Sequence, residues 1–238
     1  MSVISVVIAA RNEAPRLPLL LADLASSPQL ITEVLVVDGG SRDATATAAR
    51  LAGARLLPSP PARGGQLVLG AEQAQGRWLW FLHADARLPL TWAARLSAVV
   101  AQAPSHRLEA WCFDLQVDLP GPGYRLLELA VALRSQLGQR PYGDQGLLIE
   151  RASYGRCGGL RPLPLMEDLE FAERFCAMGG RFRSLNLPLR VDGRRWRRLG
   201  LVRTALANAA LRRAWRRGVP LEHLALRYGG QGGGQGGA

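Results

Sequence analysis

WLWFLHADARLP, residues 78 to 89, opens with five large apolar side chains and turns polar with no turn residue between. A run that is apolar at every position suits a strand covered on both faces, as in a parallel sheet flanked by helices. Its sudden end at His83, Ala84 and Asp85 marks that strand tip as a place for chemistry rather than packing.

The flanking sequence supports such a sheet. Val3 to Ala9 is apolar and β-branched, and Glu33 to Asp38 repeats the pattern, so both read as buried strands. Between them Leu17, Leu20, Leu21 and Leu24 fall at helical core spacing, with Pro15 near the first turn. After Asp38, Ser41 or Asp43 can cap a helix that ends near Ala52 at Gly53. Arg55 to Leu57 reads as a short third strand, Gln66 to Gln75 as a helix and Arg77 to Leu82 as the fourth strand. This alternation predicts an α/β fold, a mostly parallel sheet with helices on both faces.

Beyond residue 100 the style changes. Glu109 to Asp118 alternates apolar and polar residues and predicts a half-exposed strand in mixed pairing. Leu126 to Leu137 and Met166 to Met178 read as helices, GLLIE (146–150) and RFRSLNLPLRV (181–191) as strands, and Arg195 to about Arg217 as a basic helix. The expected organisation is one domain over 1–193, a basic helical segment over 194–228 packed on or beside it, and a disordered Gly/Gln tail over 229–238.

The net charge of +11 is local. All basic residues are arginine, and nine lie between Arg194 and Arg217 with no acid among them; the rest of the chain has 21 arginines against 19 carboxylates. Such a cluster reads either as a solvated helix face or as a membrane contact. A nucleic-acid binder would leave the carboxylates unexplained and finds no aromatic stacking platform, so no nucleic-acid partner is expected. Three scattered cysteines form neither a disulfide framework nor a zinc pattern, and the N-terminal apolar run is too short for a signal peptide. No apolar run approaches the ~18 residues of a membrane span. The expectation is a cytoplasmic protein, with peripheral contact at the inner face of the membrane.

In open parallel sheets ligands bind beyond the carboxyl ends of the strands. Ala10, Arg11, Asn12 and Glu13 end the first strand, Asp38, Gly39, Ser41 and Asp43 the second, and His83, Ala84 and Asp85 the fourth. Each cluster alone is as readily a helix cap or turn; three at one edge point to a shared ligand site. There is no GxGxxG turn and no GxxxxGK[ST] loop. Carboxylates meet a diphosphate through a divalent cation such as Mn²⁺ or Mg²⁺, and Asp38 suits a base N–H or ribose hydroxyl, which describes a nucleoside diphosphate with a metal.

VVIAARNE (6–13), VLVVDGGSRD (34–43) and FLHADARLP (81–89) resemble the opening motifs of family 2 glycosyltransferases, which have the GT-A fold. A subgroup of radical-SAM/selenodomain-associated transferases is similar further along, through RGGQLVLGA, YGDQGLLIER, PLMEDLEF and RRWRR, nearly to Tyr228. The resemblance implies a glycosyltransferase that moves a sugar from a nucleoside-diphosphate sugar, UDP-sugar favoured, to an acceptor hydroxyl with inversion. By position, Asn12 and Glu13 meet the nucleoside and Asp38 reads the base, with Ser41 shaping its turn. Arg63 and Gln66 approach the sugar nucleotide. Asp85 matches the metal-holding aspartate and Asp168 the general base, with Glu167 beside it. Asp144 and Gln145 fall on the acceptor side, as do Arg195 and Trp196 of the RRW motif. Two positions depart from the pattern. His83 replaces the first aspartate of DXD, and its preferred partner here is ribose or phosphate; Gly39 replaces the second aspartate of the DDGS turn. The acceptor is expected to be lipid-like. A nucleotidyltransferase is the enzyme alternative, although ARNEAPR lacks the Gly-rich, lysine-bearing loop it needs.

Overall fold

A computed structural model describes residues 3–103 and 107–225. The predicted tail at 229–238 lies outside the described residues. The N-terminal half alternates as expected: β1 (Ile4–Ala10), α1 (Leu17–Ala25), β2 (Ile31–Asp38), α2 (Thr45–Leu51), β3 (Arg55–Pro58), α3 (Arg63–Gln73), β4 (Trp78–His83), the two-residue β5 (Ala86–Arg87) and α4 (Trp92–Gln102). Then follow β6 (Glu109–Val117), α5 (Pro122–Leu137), β7 (Leu147–Glu150), α6 (Arg151–Arg156), α7 (Glu167–Ala177), β8 (Arg181–Val191), α8 (Arg194–Leu199) and α9 (Leu201–Arg216).

All eight strands form one sheet in the order β3-β2-β1-β4-β7-β6-β8-β5. The β3-β2-β1-β4 half is parallel, β7 is antiparallel to both its neighbours, and β6 and β8 are parallel. This is the α/β class that the sequence predicts, a largely parallel sheet flanked by helices.

The period of two along β4 explains its apolar run. Trp78, Trp80 and Leu82 enter the core layer shared with α1 and α4, while Leu79 and Phe81 enter the opposite layer with α3 and α7. Trp80 lies 5.4 Å from Trp92 of α4 and 5.9 Å from Phe113 of β6, ring centre to ring centre. The strand runs one residue beyond its apolar stretch, so His83 pairs in register with Ala9 and the change of polarity falls on the sheet edge. Ser5, the polar residue buried in β1, donates to Glu33 (2.8 Å) and accepts from the Gly76 amide (2.7 Å).

Two expectations are corrected. β6 is buried along most of its length, not half-exposed: Ala110 enters the layer with α7, Phe113 the layer with α4, and Leu115 and Val117 pack with Val131 of α5, which leaves Asp114 and Gln116 partly open. Its polar Asp114 is instead satisfied by the Ser184 hydroxyl at 2.9 Å. The basic segment is two helices rather than one. Gly200, at φ +79°, ends α8 by donating to the Trp196 carbonyl (2.8 Å) and starts α9 by accepting from Thr204.

Close packing of α3 on β1 sets a test of the fold. A Cβ on Gly70 would stand 2.3 Å from Val7 Cγ1, whereas one on Gly155 in α6 meets nothing within 4 Å. Gly70→Ala is expected to cost about 1–3 kcal/mol in urea unfolding, and Gly155→Ala to lie between neutral and a gain of about 1 kcal/mol. Equal stability of the two variants would contradict the α3–β1 contact.

Candidate active site

The loops after β1 and β2 are stitched into one unit by short polar side chains. Asn12, held at φ +55°, donates its amide to Ser41 Oγ (2.9 Å) and accepts the Arg42 amide on Oδ1 (2.8 Å). Glu13 N–H donates to Thr45 Oγ1 (2.8 Å), and Asp43 accepts from the Ala14 and Thr45 amides. Burial raises the Asp43 carboxyl, but these hydrogen bonds, led by the Thr45 hydroxyl, outweigh it and leave its pKa lowered. Asp38 accepts from the Ser41 amide and hydroxyl. Arg11 points to solvent and Ala10 is buried beneath the loop.

Gln66 is placed under this unit, not facing open space. Its amide nitrogen donates to the carbonyls of Ala10 (3.0 Å) and Val37 (2.7 Å), tying the ends of β1 and β2 together. A Cβ on Gly39 would sit 3.1–3.2 Å from the Gln66 side chain, which gives a physical reason for glycine at that departure from the family pattern.

The second cluster lines a cleft of about 300 Å³. Arg63, His83, Asp85, Asp144, Glu167, Asp168, Arg195 and Trp196, each expected from the sequence to belong to the site, come together here. β5 pairs with the end of β8 (Ala86 with Val191), and this carries Asp192 and Arg194 to Asp85. Arg194 then bridges the two clusters. Both its terminal nitrogens bind the Glu13 carboxylate, one at 3.0 Å, and it lies 3.5 Å from Asp85. Asp192 pairs with Arg16 and accepts the Arg194 amide (2.8 Å), and although burial raises its carboxyl these bonds leave it lowered.

Burial lowers the His83 pKa far below the ordinary imidazole range, and the charges of Arg63 and Arg194 add to this, so the ring is neutral at pH 7. Its Nδ1 stands 4.0 Å from Asp85, and Nε2 is buried without a hydrogen-bond partner. Asp85 is raised by burial, with Arg194 opposing.

Across the cleft, Asp168 at the start of α7 accepts the Gly143 amide (2.8 Å). Glu167 is buried and paired with Arg63 at 3.1 Å; burial raises its pKa, which Arg63 opposes. Asp144 is raised by burial too, with one carboxylate oxygen turned inward and unpartnered. Gln145 serves the fold: it accepts from Ser135 (2.8 Å) and donates to the Phe113 carbonyl (3.0 Å). Trp196 packs against the core of Leu115, Val117, Val131 and Val191 and so anchors α8. Arg195 donates to Asn208 of α9 (3.2 Å).

Residues 5–105 match the model for glycosyl transferase family 2. The matched segment contains all three polar strand ends. Over that segment the chain is similar to family 2 glycosyl transferases. Among solved structures, TarS residues 1–349 from S. aureus aligns at TM-score 0.61 and 17% identity over 82% of this chain. It has also been solved with UDP-GlcNAc. Glucosyl-3-phosphoglycerate synthase from Mycobacterium tuberculosis, in complex with Mn²⁺ and UDP-glucose, aligns at TM-score 0.56 and 18% identity over 78% of this chain and 70% of its own. The chain spans 61% of the TarS structure, and at such identities the likeness concerns the fold. No curated protein sequence matches the chain.

The sequence did not single out Tyr142, whose ring lies 3.7 Å under the Arg134 guanidinium at the cleft wall. Nor did it give Arg194 its bridging place. The hint of each was its place as the first residue of YGDQG and of RRW.

The brace under the nucleoside-side loops is open to test. Gln66→Leu removes both donated bonds from the buried ends of β1 and β2, although the Ala10 carbonyl keeps the Gly39 amide, so unfolding free energy should fall by about 1–3 kcal/mol. The loss should be largely absent from Arg11→Ala, which alters an exposed side chain at the same strand end.

Proposed function

We propose that the protein is a glycosyltransferase that moves a sugar from UDP-sugar to an acceptor hydroxyl with inversion. The observation that carries this reading is one cleft lined on one wall by His83 and Asp85 at the tip of β4, and on the other by Asp168. The adjoining unit of Asn12, Ser41 and Asp38 is the place for the nucleoside, with Asp38 on the base or ribose. The Mn²⁺ and UDP-glucose complex of the mycobacterial synthase supports this choice of donor and cation.

The residues present fit a divalent cation held mainly by its ligand. Asp85 offers a hard oxygen, and the neutral His83 nitrogen beside it suits Mn²⁺. No group of three or more potential protein ligands occurs among the described residues, so diphosphate oxygens would complete the coordination shell. When bound at Asp85, Mn²⁺ or Mg²⁺ supplies positive charge to the leaving diphosphate.

The chain's own residues do the rest. Arg63 and Arg194 bring two guanidinium groups to the cleft where negative charge develops. The orphaned His83 Nε2 can hydrogen-bond ribose or phosphate. Asp168, kept in place by the Gly143 amide, takes the acceptor hydroxyl proton on the face of the sugar opposite the diphosphate. Asp144 and Glu167 are assigned to the acceptor side, where burial raises both carboxyls and Arg134 and Arg63 oppose it. The acceptor is proposed to be lipid-linked.

Calorimetry with UDP and Mn²⁺ is expected to show binding that is lost in Asp38→Ala and strongly weakened in Asp85→Ala. Asp168→Asn should bind UDP like the wild type yet transfer sugar two to four orders of magnitude more slowly, about the contribution of a general base. Wild-type UDP affinity in both binding-site variants would overturn the site. Wild-type turnover in Asp168→Asn would overturn the base.

A further inference from the structure

Six of the ten exposed large hydrophobic side chains among the described residues lie on two helices. α5 buries Val131 and Ser135 and turns the opposite side outward, with Leu126 at 69%, Leu129 at 62%, Leu133 at 56% and Leu137 at 81% exposure. Their spacing of three, four and four residues makes one stripe. α9 buries Thr204 and Leu211 and exposes Val202 and Leu206, continued by Ala209 and Ala210.

The two helices are neighbours. Gly123 at the start of α5 abuts Leu201 at the start of α9, where an added Cβ would stand 2.8 Å from Leu201 Cδ2. Eleven residues further along each helix, Arg134 and Arg212 both lie over the Tyr142 ring, at 3.7 and 5.8 Å. Matching offsets at both points mean that α5 and α9 run in the same direction, touching at their first turns and joined through the Tyr142 ring further along, so that their outer stripes face the same way. Leu199 belongs to α8, beyond the Gly200 break, and is half-buried, so the stripe of α9 begins at Val202.

The rim of this face is cationic. Arg203, Arg213, Arg216 and Arg217 are exposed on or just after α9, and the segment from Arg194 to Arg217 has no acid. The one acid of α5, Glu128, is half-buried and bound by Arg125 and the Val117 amide. A second copy of the chain is a poor occupant, because a two-fold interface would set arginine against arginine across the apolar strip. An anionic bilayer satisfies both parts: leucines enter the acyl boundary and guanidinium groups meet lipid phosphates. No described helix is long and apolar enough to cross a membrane, so the arrangement suits lying on the surface.

We propose that the joint outer face of α5 and α9 docks the protein on an anionic lipid bilayer. The inner side of α9, through Thr204, Asn208, Leu211 and Arg212, lines the cleft. Docking therefore brings the cleft rim to the lipid surface. The docking itself stands apart from the glycosyltransferase reading; only its use, delivery of a lipid-linked acceptor, rests on it.

The test is flotation of the full chain with phosphatidylcholine vesicles, with and without about one third phosphatidylglycerol, at moderate salt. Binding is expected to the anionic vesicles and to fall roughly tenfold or more in Leu129→Gln/Leu133→Gln on α5 and, separately, in Leu206→Gln on α9. These variants keep the net charge, and calorimetry with UDP on each one checks that fold and nucleotide site are intact. No binding to anionic vesicles overturns the proposal. Binding unchanged in both variants also overturns it, since arginines alone would then account for the attraction. A wild-type dimer in sedimentation velocity that Leu133→Gln dissociates would assign the face to a second copy and overturn it as well.

Discussion

A carboxylate withdrawn from water costs several kcal/mol unless a cation or a set of hydrogen bonds replaces the lost hydration. The carboxyl edge of this sheet holds Glu13, Asp85, Asp144, Glu167, Asp168 and Asp192 within or beside one cleft, and its construction follows from that cost. Four separate segments send arginines to it. Arg16 serves Asp192, Arg63 serves Glu167, Arg134 opposes the burial of Asp144, and Arg194 serves both Glu13 and Asp85. The basic C-terminal segment is thus part of the site: one of its arginines is the counter-ion of the first strand end, and its Trp196 packs against the core. Loss of one partner from such a pair costs more than the pair contributes, because it leaves the other charge buried and alone.

Strand positions were legible in the sequence because burial on both faces leaves a local mark. The apolar runs at residues 4–10 and 78–82 need no knowledge of their neighbours. Asp85 and Asp168 were legible through motif order, and they do line one cleft. Residues whose partners are distant in the chain were not legible in their roles. Gln66 looks like any polar residue near a helix start, yet its amide is consumed by carbonyls 56 and 29 residues away. Gln145 is similar, spent on Ser135 and Phe113. β6 shows why alternation alone misleads: helices that come earlier and later in the sequence bury Ala110, Phe113, Leu115 and Val117, and one hydroxyl from β8 satisfies its Asp114.

Gly200 illustrates the same limit within a helix. Helical spacing is continuous from Arg195 to Arg217, and a single glycine inside such a pattern ordinarily costs about 1 kcal/mol without ending it. Here its left-handed conformation redirects the chain, so that α8 presents Arg194 and Arg195 to the cleft while α9 runs beside α5. The break separates two tasks that one straight helix could not perform together, holding the counter-ion of Glu13 and carrying an outward apolar stripe.

The bridge made by Arg194 also bears on how a ligand would enter. Its guanidinium stands between the Asn12–Asp38 unit and the cleft, neutralising Glu13 and Asp85 together. Under the proposed function, a diphosphate brings further negative charge to the spot where this one cation already faces two carboxylates. A divalent cation on Asp85 would relieve Arg194 of one of them and leave the guanidinium to share between Glu13 and phosphate oxygen. Nucleotide and metal would then each make the other's binding more favourable, since each removes a repulsion that the other alone would meet. The replacement of a carboxylate by neutral His83 fits this balance, because another negative charge beside Asp85 would add to the two carboxylates that Arg194 already faces.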